Sequence, residues 1–120
     1  QGFRFMFPGD MEGNGWANLL ATCPAFRPLV SGVHVLVAAH HGRRNGIFEE
    51  MFDVYGCTPQ LVVISDDYKQ YDTQETTNYY SRKAIGITNY RGQSGVRRVL
   101  TTRSDGEIRF SFLNGQCHVW

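Results

Sequence analysis

The chain has 120 residues, of which 42% are hydrophobic and 19% charged. That length holds one domain, and that composition is far from the apolar-poor pattern of disordered chains. A net charge of +1 gives no overall reason to expect nucleic acid, whose binding normally leaves a strongly basic footprint. The longest apolar run, Val33 to Ala39, is broken by His34 and falls well short of the roughly 18 residues that span a bilayer.

Strand and helix signals alternate along the chain. Phe3-Arg4-Phe5-Met6-Phe7 has period two and stops at Pro8-Gly9, which predicts a strand. Trp16, Leu19, Leu20 and Cys23 form one helical stripe. Pro24 then restarts the chain as a short helix through Phe26, Leu29 and Val30, ending at Gly32. Val33 to Ala39 is β-branched enough to be a strand covered on both faces. Ile47, Phe48, Met51, Phe52 and Tyr55 share a helix face, and Gly56 supplies the stop. Leu61 to Ile64 is a further buried strand. Thr73 is the expected N-cap of a helix through Tyr79, Tyr80 and Ala84, closed by Gly86. Val99 to Arg103 and Ile108 to Phe112 flank Ser104-Asp105-Gly106, which predicts a hairpin. Gly115 allows a last segment ending in His118, Val119 and Trp120.

This order predicts an α+β domain over 1–120, with a mixed sheet and helices on one face. A sheet with a single helical layer would leave Phe110 and Phe112 exposed, so a cover is expected. The chain opens at Gln1 and runs directly into an apolar strand, with no secretory h-region before it. It therefore reads as the downstream part of a longer protein. Cys23, Cys57 and Cys117 are odd in number and widely spaced, which gives no disulfide framework or zinc knuckle. Thiol usage and the missing leader point to the cytoplasm. Charge is uneven: Glu49 to Glu75 holds seven acids against Lys69, and Arg82 to Arg109 holds seven bases against Asp105 and Glu107. Such a split is either a partner surface or two solvated faces.

Chemistry-bearing residues collect at two strand ends. Asp10 follows Phe7-Pro8-Gly9, and His40-His41-Gly42 follows Ala38-Ala39. Side chains just past the carboxyl ends of neighbouring strands converge where α/β sheets bind ligands, and a carboxylate with imidazoles suits zinc, manganese or iron. Each residue has a plainer reading. Asp10 is also a natural helix cap, and His34 and His118 read as hydrogen-bonded structural residues. The adjacent imidazoles of His40 and His41 need polar partners wherever they lie.

Phe5-Met6-Phe7-Pro8-Gly9-Asp10-Met11-Glu12, Val35-Leu36-Val37-Ala38-Ala39-His40-His41-Gly42 and Leu61-Val62-Val63-Ile64-Ser65 together resemble the second half of the metallo-β-lactamase superfamily, and its ComEC-type branch most. Asp105-Gly106-Glu107-Ile108 resembles the usual close of such domains. The likeness covers most of residues 3–112.

The resemblance implies half of an αββα sandwich and a metal-dependent hydrolase with two divalent ions, zinc or else manganese or iron. Asp10 inherits the bridging-ligand role and His41 the role of ligand to the second metal. His40 becomes the catalytic neighbour that contacts substrate or a phosphate oxygen, and the two histidines could exchange roles. Paired cations of this kind lower the pKa of a shared water towards about 7. The family's His-x-His-x-Asp-His cluster is expected upstream, in a missing N-terminal half that would be the first partner of this chain. A phosphoester or nucleic-acid substrate fits better than a β-lactam, with Arg91, Arg97, Arg98 and Arg103 available to a polyanion.

One departure from the family stands out. Many relatives carry His-Pro after the Val-Ile-Ser strand, whereas this chain reads Asp66-Asp67-Tyr68-Lys69-Gln70-Tyr71-Asp72. Asp66 or Asp72 is either a ligand or part of a solvated loop and helix cap. The alternative to a hydrolase is a non-catalytic module of the same fold acting in protein–protein contact. A half-domain with an uncovered face would also pair with something, a second copy included.

Overall fold

The structure is a computed structural model that describes residues 2–67 and 75–120. Its centre is a four-stranded sheet of β1 (Phe5–Met6), β2 (Val35–Val37), β3 (Leu61–Ile64) and β6 (Val99–Thr101), in the order β1-β2-β3-β6. Every pairing in it is parallel, with Val35 beside both Phe5 and Leu61, and Val63 beside Leu100. Parallel strands need crossovers, and the helical segments between them supply these.

Period-two alternation sorts the sheet into two faces. Met6, Leu36, Val62, Ile64 and Val99 point towards the helices. There α1 (Gly13–Thr22), α2 (Arg27–Ser31), α3 (Glu49–Asp53) and α4 (Thr77–Ser81) contribute Trp16, Leu20, Val30, Met51, Phe52 and Tyr80. Phe5, Val35, Leu61, Val63 and Leu100 point the other way, towards Tyr90 and a C-terminal hairpin of β7 (Phe110–Leu113) and β8 (Gln116–Val119). The Phe110 ring meets Phe5 edge-on at 5.1 Å, within the range that stabilises aromatic pairs.

The domain is thus α+β, with α1 to α4 on one face as expected. Three other expectations are corrected. The main sheet is parallel throughout rather than mixed, because the antiparallel pairs form separate two-stranded sheets: β4 (Ile87–Thr88) with β5 (Val96–Arg97), and β7 with β8. The hairpin expected across Ser104-Asp105-Gly106 does not form. Thr101 instead caps a short helix, α5 (Thr102–Asp105), by accepting from Ser104 N, while Asp105 Oδ2 accepts from Thr101 N at 2.9 Å. Arg97 holds that same carboxylate at 2.9 Å. The turn moves to Asn114-Gly115, both left-handed (φ 52° and 74°), as a tight two-residue hairpin needs.

The third correction concerns the open face. The hairpin lies over it and leaves Leu61 and Leu100 at 1% and 0% exposure, so the chain covers the middle of its own sheet. Phe110 is half-buried. Phe112 is exposed as expected, along with Phe7, Leu113 and Trp120.

The helix expected around 47–55 is reduced to Glu49–Asp53, and the expected cap Thr73 lies outside the described residues. Among the described residues, no helix is long and apolar enough to cross a membrane.

Candidate functional site

Because β1, β2, β3 and β6 are parallel, their carboxyl ends share one edge of the sheet, where α/β folds gather their ligands. In sheet order that edge carries Asp10, then His40 and His41, then Ser65 and Asp66, then Thr102 and Arg103. Backbone bonds draw the first two tips together: His40 N donates to Gly9 O at 2.8 Å. The second tip is held from below by Trp16 Nε1 donating to Gly46 O at 3.2 Å, and by Thr76 Oγ1 donating to Gly42 O at 2.5 Å. Trp16 is 1% exposed, so the helical core itself sets the height of the loop.

The two sequence-predicted arms of the site meet. His41 Nε2 lies 3.3 Å from Asp10 Oδ1, both side chains being exposed. His41 Nδ1 lies 2.8 Å from the carbonyl oxygen of Ser65. A carbonyl can only accept, so Nδ1 carries the hydrogen and the neutral ring turns a bare Nε2 lone pair at a carboxylate oxygen. Two acceptors facing each other call for a positive centre between them, whether a proton on the ring or a cation. A second partner that orients the ring through its other nitrogen is also the arrangement found around metal-ligating histidines. Asp10 and His41 therefore fit as a pair of ligands. Among the described residues, no three His, Cys, Asp or Glu side chains assemble into one metal site.

His40 sits beside this pair with a different set of contacts. Its Nδ1 lies 2.7 Å from Asn45 Oδ1, and Asn45 Nδ2 donates to Glu12 Oε1 at 3.3 Å. Sequence reasoning assigned no role to Glu12 or Asn45. Glu12 was legible as the acid two places after Asp10, but Asn45 carries no signal of its own until the loop is folded.

The plainer readings fare differently. Asp10 is not a helix cap: the cap position of α1 is Glu12, and its side chain makes no capping bond. His34 is structural, accepting from Arg4 N at 3.0 Å with Phe3 packed edge-on. His118 is exposed on β8, opposite Ser111. Asp66 belongs to no solvated loop: its side chain is 3% exposed and pairs with Arg103 at 3.1 Å. Burial pushes the Asp66 carboxyl up, and Arg103, then His41, pull it partly back. Asp72 lies outside the described residues. Three of the four arginines offered to a polyanion are engaged within the chain: Arg97 by Asp105, Arg103 by Asp66, and Arg91 by the carbonyls of Asp105 and Glu107. The two halves of the charge split also meet, since Lys83 bonds Asp53 at 3.0 Å. All three cysteines are free thiols, and burial pushes the Cys57 thiol up to about 12.

The backbone at the imidazole tip is strained. His40 and His41 are consecutive left-handed residues (φ 52° and 55°), followed by Gly42 at 75°. Left-handed conformation costs an L-residue about 1–2 kcal/mol, and such outliers collect at functional sites. His41→Gly is therefore expected to be more stable than His41→Ala by about 1 kcal/mol. This is the reverse of ordinary positions, where glycine is the worse of the two by roughly 0.5–1 kcal/mol. Both variants lose the bond to Ser65, so urea midpoints of the two isolate the backbone effect. Comparison with protein-family models, curated proteins and solved structures finds no match for this chain.

Proposed function

We propose that this chain carries one wall of a divalent-metal centre of a metallo-β-lactamase-like hydrolase, with Asp10 and His41 as metal ligands and His40 as the catalytic group beside them. The observation that carries this reading is the facing of Asp10 Oδ1 and His41 Nε2 at 3.3 Å, with the Ser65 carbonyl bound to the other ring nitrogen. Zinc chemistry takes at least three protein ligands, so further donors would complete the set. The resemblance places them in an N-terminal half of the domain. When bound, such ions activate water and stabilise developing negative charge. This chain's own residues orient the arms: Ser65 sets the His41 ring, Gly9 pins the His40 backbone, and Trp16 and Thr76 hold the loop that bears both. A phosphoester or nucleic-acid substrate remains the favoured class, with Arg98 the basic residue of that stretch that makes no ion pair among the described residues.

The donor count of two favours a second reading, a non-catalytic module that keeps the scaffold and binds another protein or a second copy of itself. Metal analysis of the full-length protein separates the two. The hydrolase reading expects stoichiometric zinc, manganese or iron. It also expects Asp10→Asn and His41→Ala each to weaken metal affinity by more than the roughly 10–100-fold that loss of an outer partner costs, with hydrolysis lost in parallel. A full-length protein that purifies with only traces of metal, or variants that hydrolyse at the wild-type rate, would leave the non-catalytic module standing.

A further inference from the structure

We propose that Asn45 and Glu12 are positioning residues that hold His40 in the tautomer with its hydrogen on Nδ1, keeping Nε2 as an electron-pair donor. The use of that donor rests on the reading of the His40–His41 turn as the site's imidazole arm; the tautomer itself does not.

The argument runs outward from the carboxylate. An ionised Glu12 can only accept, so the Asn45 amide turns its nitrogen to Glu12 Oε1 at 3.3 Å. That orientation leaves Oδ1 facing the His40 ring at 2.7 Å. An amide oxygen also only accepts, so Nδ1 of His40 is the donor and Nε2 holds the lone pair. The Glu12 oxygen lies 3.8 Å from the same ring nitrogen, and its charge further favours hydrogen there. The ring is 18% exposed, and its backbone is held on both sides, by Gly9 O and by Arg43 N donating to His40 O at 3.0 Å. A merely decorative surface histidine would need none of this. The neighbouring His41 reaches the same tautomer by a separate route, through the Ser65 carbonyl, so two adjacent imidazoles are both prepared to offer Nε2. His34 is the opposite case: its Nδ1 accepts from Arg4 N, which puts its hydrogen on Nε2.

The experiment is long-range proton–nitrogen NMR on the histidine-labelled full chain at about pH 8.5, above the histidine titration range. Wild type is expected to show His40 and His41 as Nδ1–H and His34 as Nε2–H, the last serving as an internal contrast. Asn45→Ala should move His40 from a single tautomer to a mixture led by Nε2–H. Glu12→Ala should do the same by freeing the amide to turn. Glu12→Gln, whose amide can donate as well as accept, should loosen the preference in the same direction but less. Unchanged His34 and His41 signals certify the fold of each variant, and the Glu12 pair decides the matter if Asn45→Ala does not fold. A wild-type His40 carrying its hydrogen on Nε2 would overturn the proposal, as would Glu12→Ala with the tautomer unmoved. Because no metal is added, loss of the metal-centre reading leaves this result standing, and failure here leaves metal binding by Asp10 and His41 untouched.

Discussion

Arg103→Leu is expected to cost the fold about 3–5 kcal/mol at neutral pH, the usual result of removing one partner from a buried ion pair. The partner left behind is Asp66, whose side chain is 3% exposed and pairs with Arg103 at 3.1 Å. The other carboxylate oxygen, Oδ1, is buried and has no hydrogen-bond partner among the described residues. Arg103 therefore carries nearly all the direct compensation for the buried charge, while Thr102 Oγ1 holds only the Asp66 backbone.

The pH dependence follows from the direction of the Asp66 shift, which burial raises and Arg103 opposes. A carboxyl with a higher pKa folded than unfolded binds more protons in the folded state between those two values. Stability then falls as pH rises through that interval and returns on acidification. Removing Arg103 raises the folded value further and widens the interval. Arg103→Leu should thus regain much of its loss as the pH is lowered, and Asp66→Asn in the same background should abolish that recovery. Urea midpoints across the acid range test both. A variant within 1 kcal/mol of wild type, or one with a flat pH profile, would show that the pair is not what holds these two strand ends together.

Gly42→Ala is expected to destabilise by about 2–4 kcal/mol, combining the left-handed penalty with overpacking of a filled core. Gly42 has φ +75°, and a Cβ there would lie 2.7 Å from Ile64 Cγ2. Ile64 is fully buried at the end of β3 and has nowhere to retreat. The same displacement would push His41 away from Ser65 and Asp10, so under the proposed metal-centre reading metal affinity should fall together with stability. Thermal melts and metal titration of the one variant check both halves. Full stability in Gly42→Ala would mean that the loop relaxes freely, and the height of the imidazole tip would then not be set by the sheet.

Local chemistry determined much of this protein in advance. A period-two run made Phe5–Met6 a strand, continuous apolar runs made Val35–Val37 and Leu61–Ile64 buried ones, and the apolar stripe at Trp16 and Leu20 made α1. Gly9-Asp10 and His40-His41-Gly42 stood out as strand-end residues because polar groups beside apolar strands need partners. The hairpin was misplaced although its signal was present. Asp105-Gly106 and Asn114-Gly115 are both turn pairs, and nothing local says that Arg97 and the Thr101 backbone will hold Asp105 and wind that stretch into a helical turn.

Tertiary structure alone decided the rest. Strand order and direction arise from non-local pairing, so only the folded sheet brings Asp10, His41 and Ser65 together at one edge. The link from Glu12 through Asn45 to His40 spans 33 residues at its longer step and leaves no periodic trace. Asp66 looked like loop polarity in the sequence, because burial is a property of what packs around a residue, and its partner Arg103 comes from the short helix α5, 37 positions away.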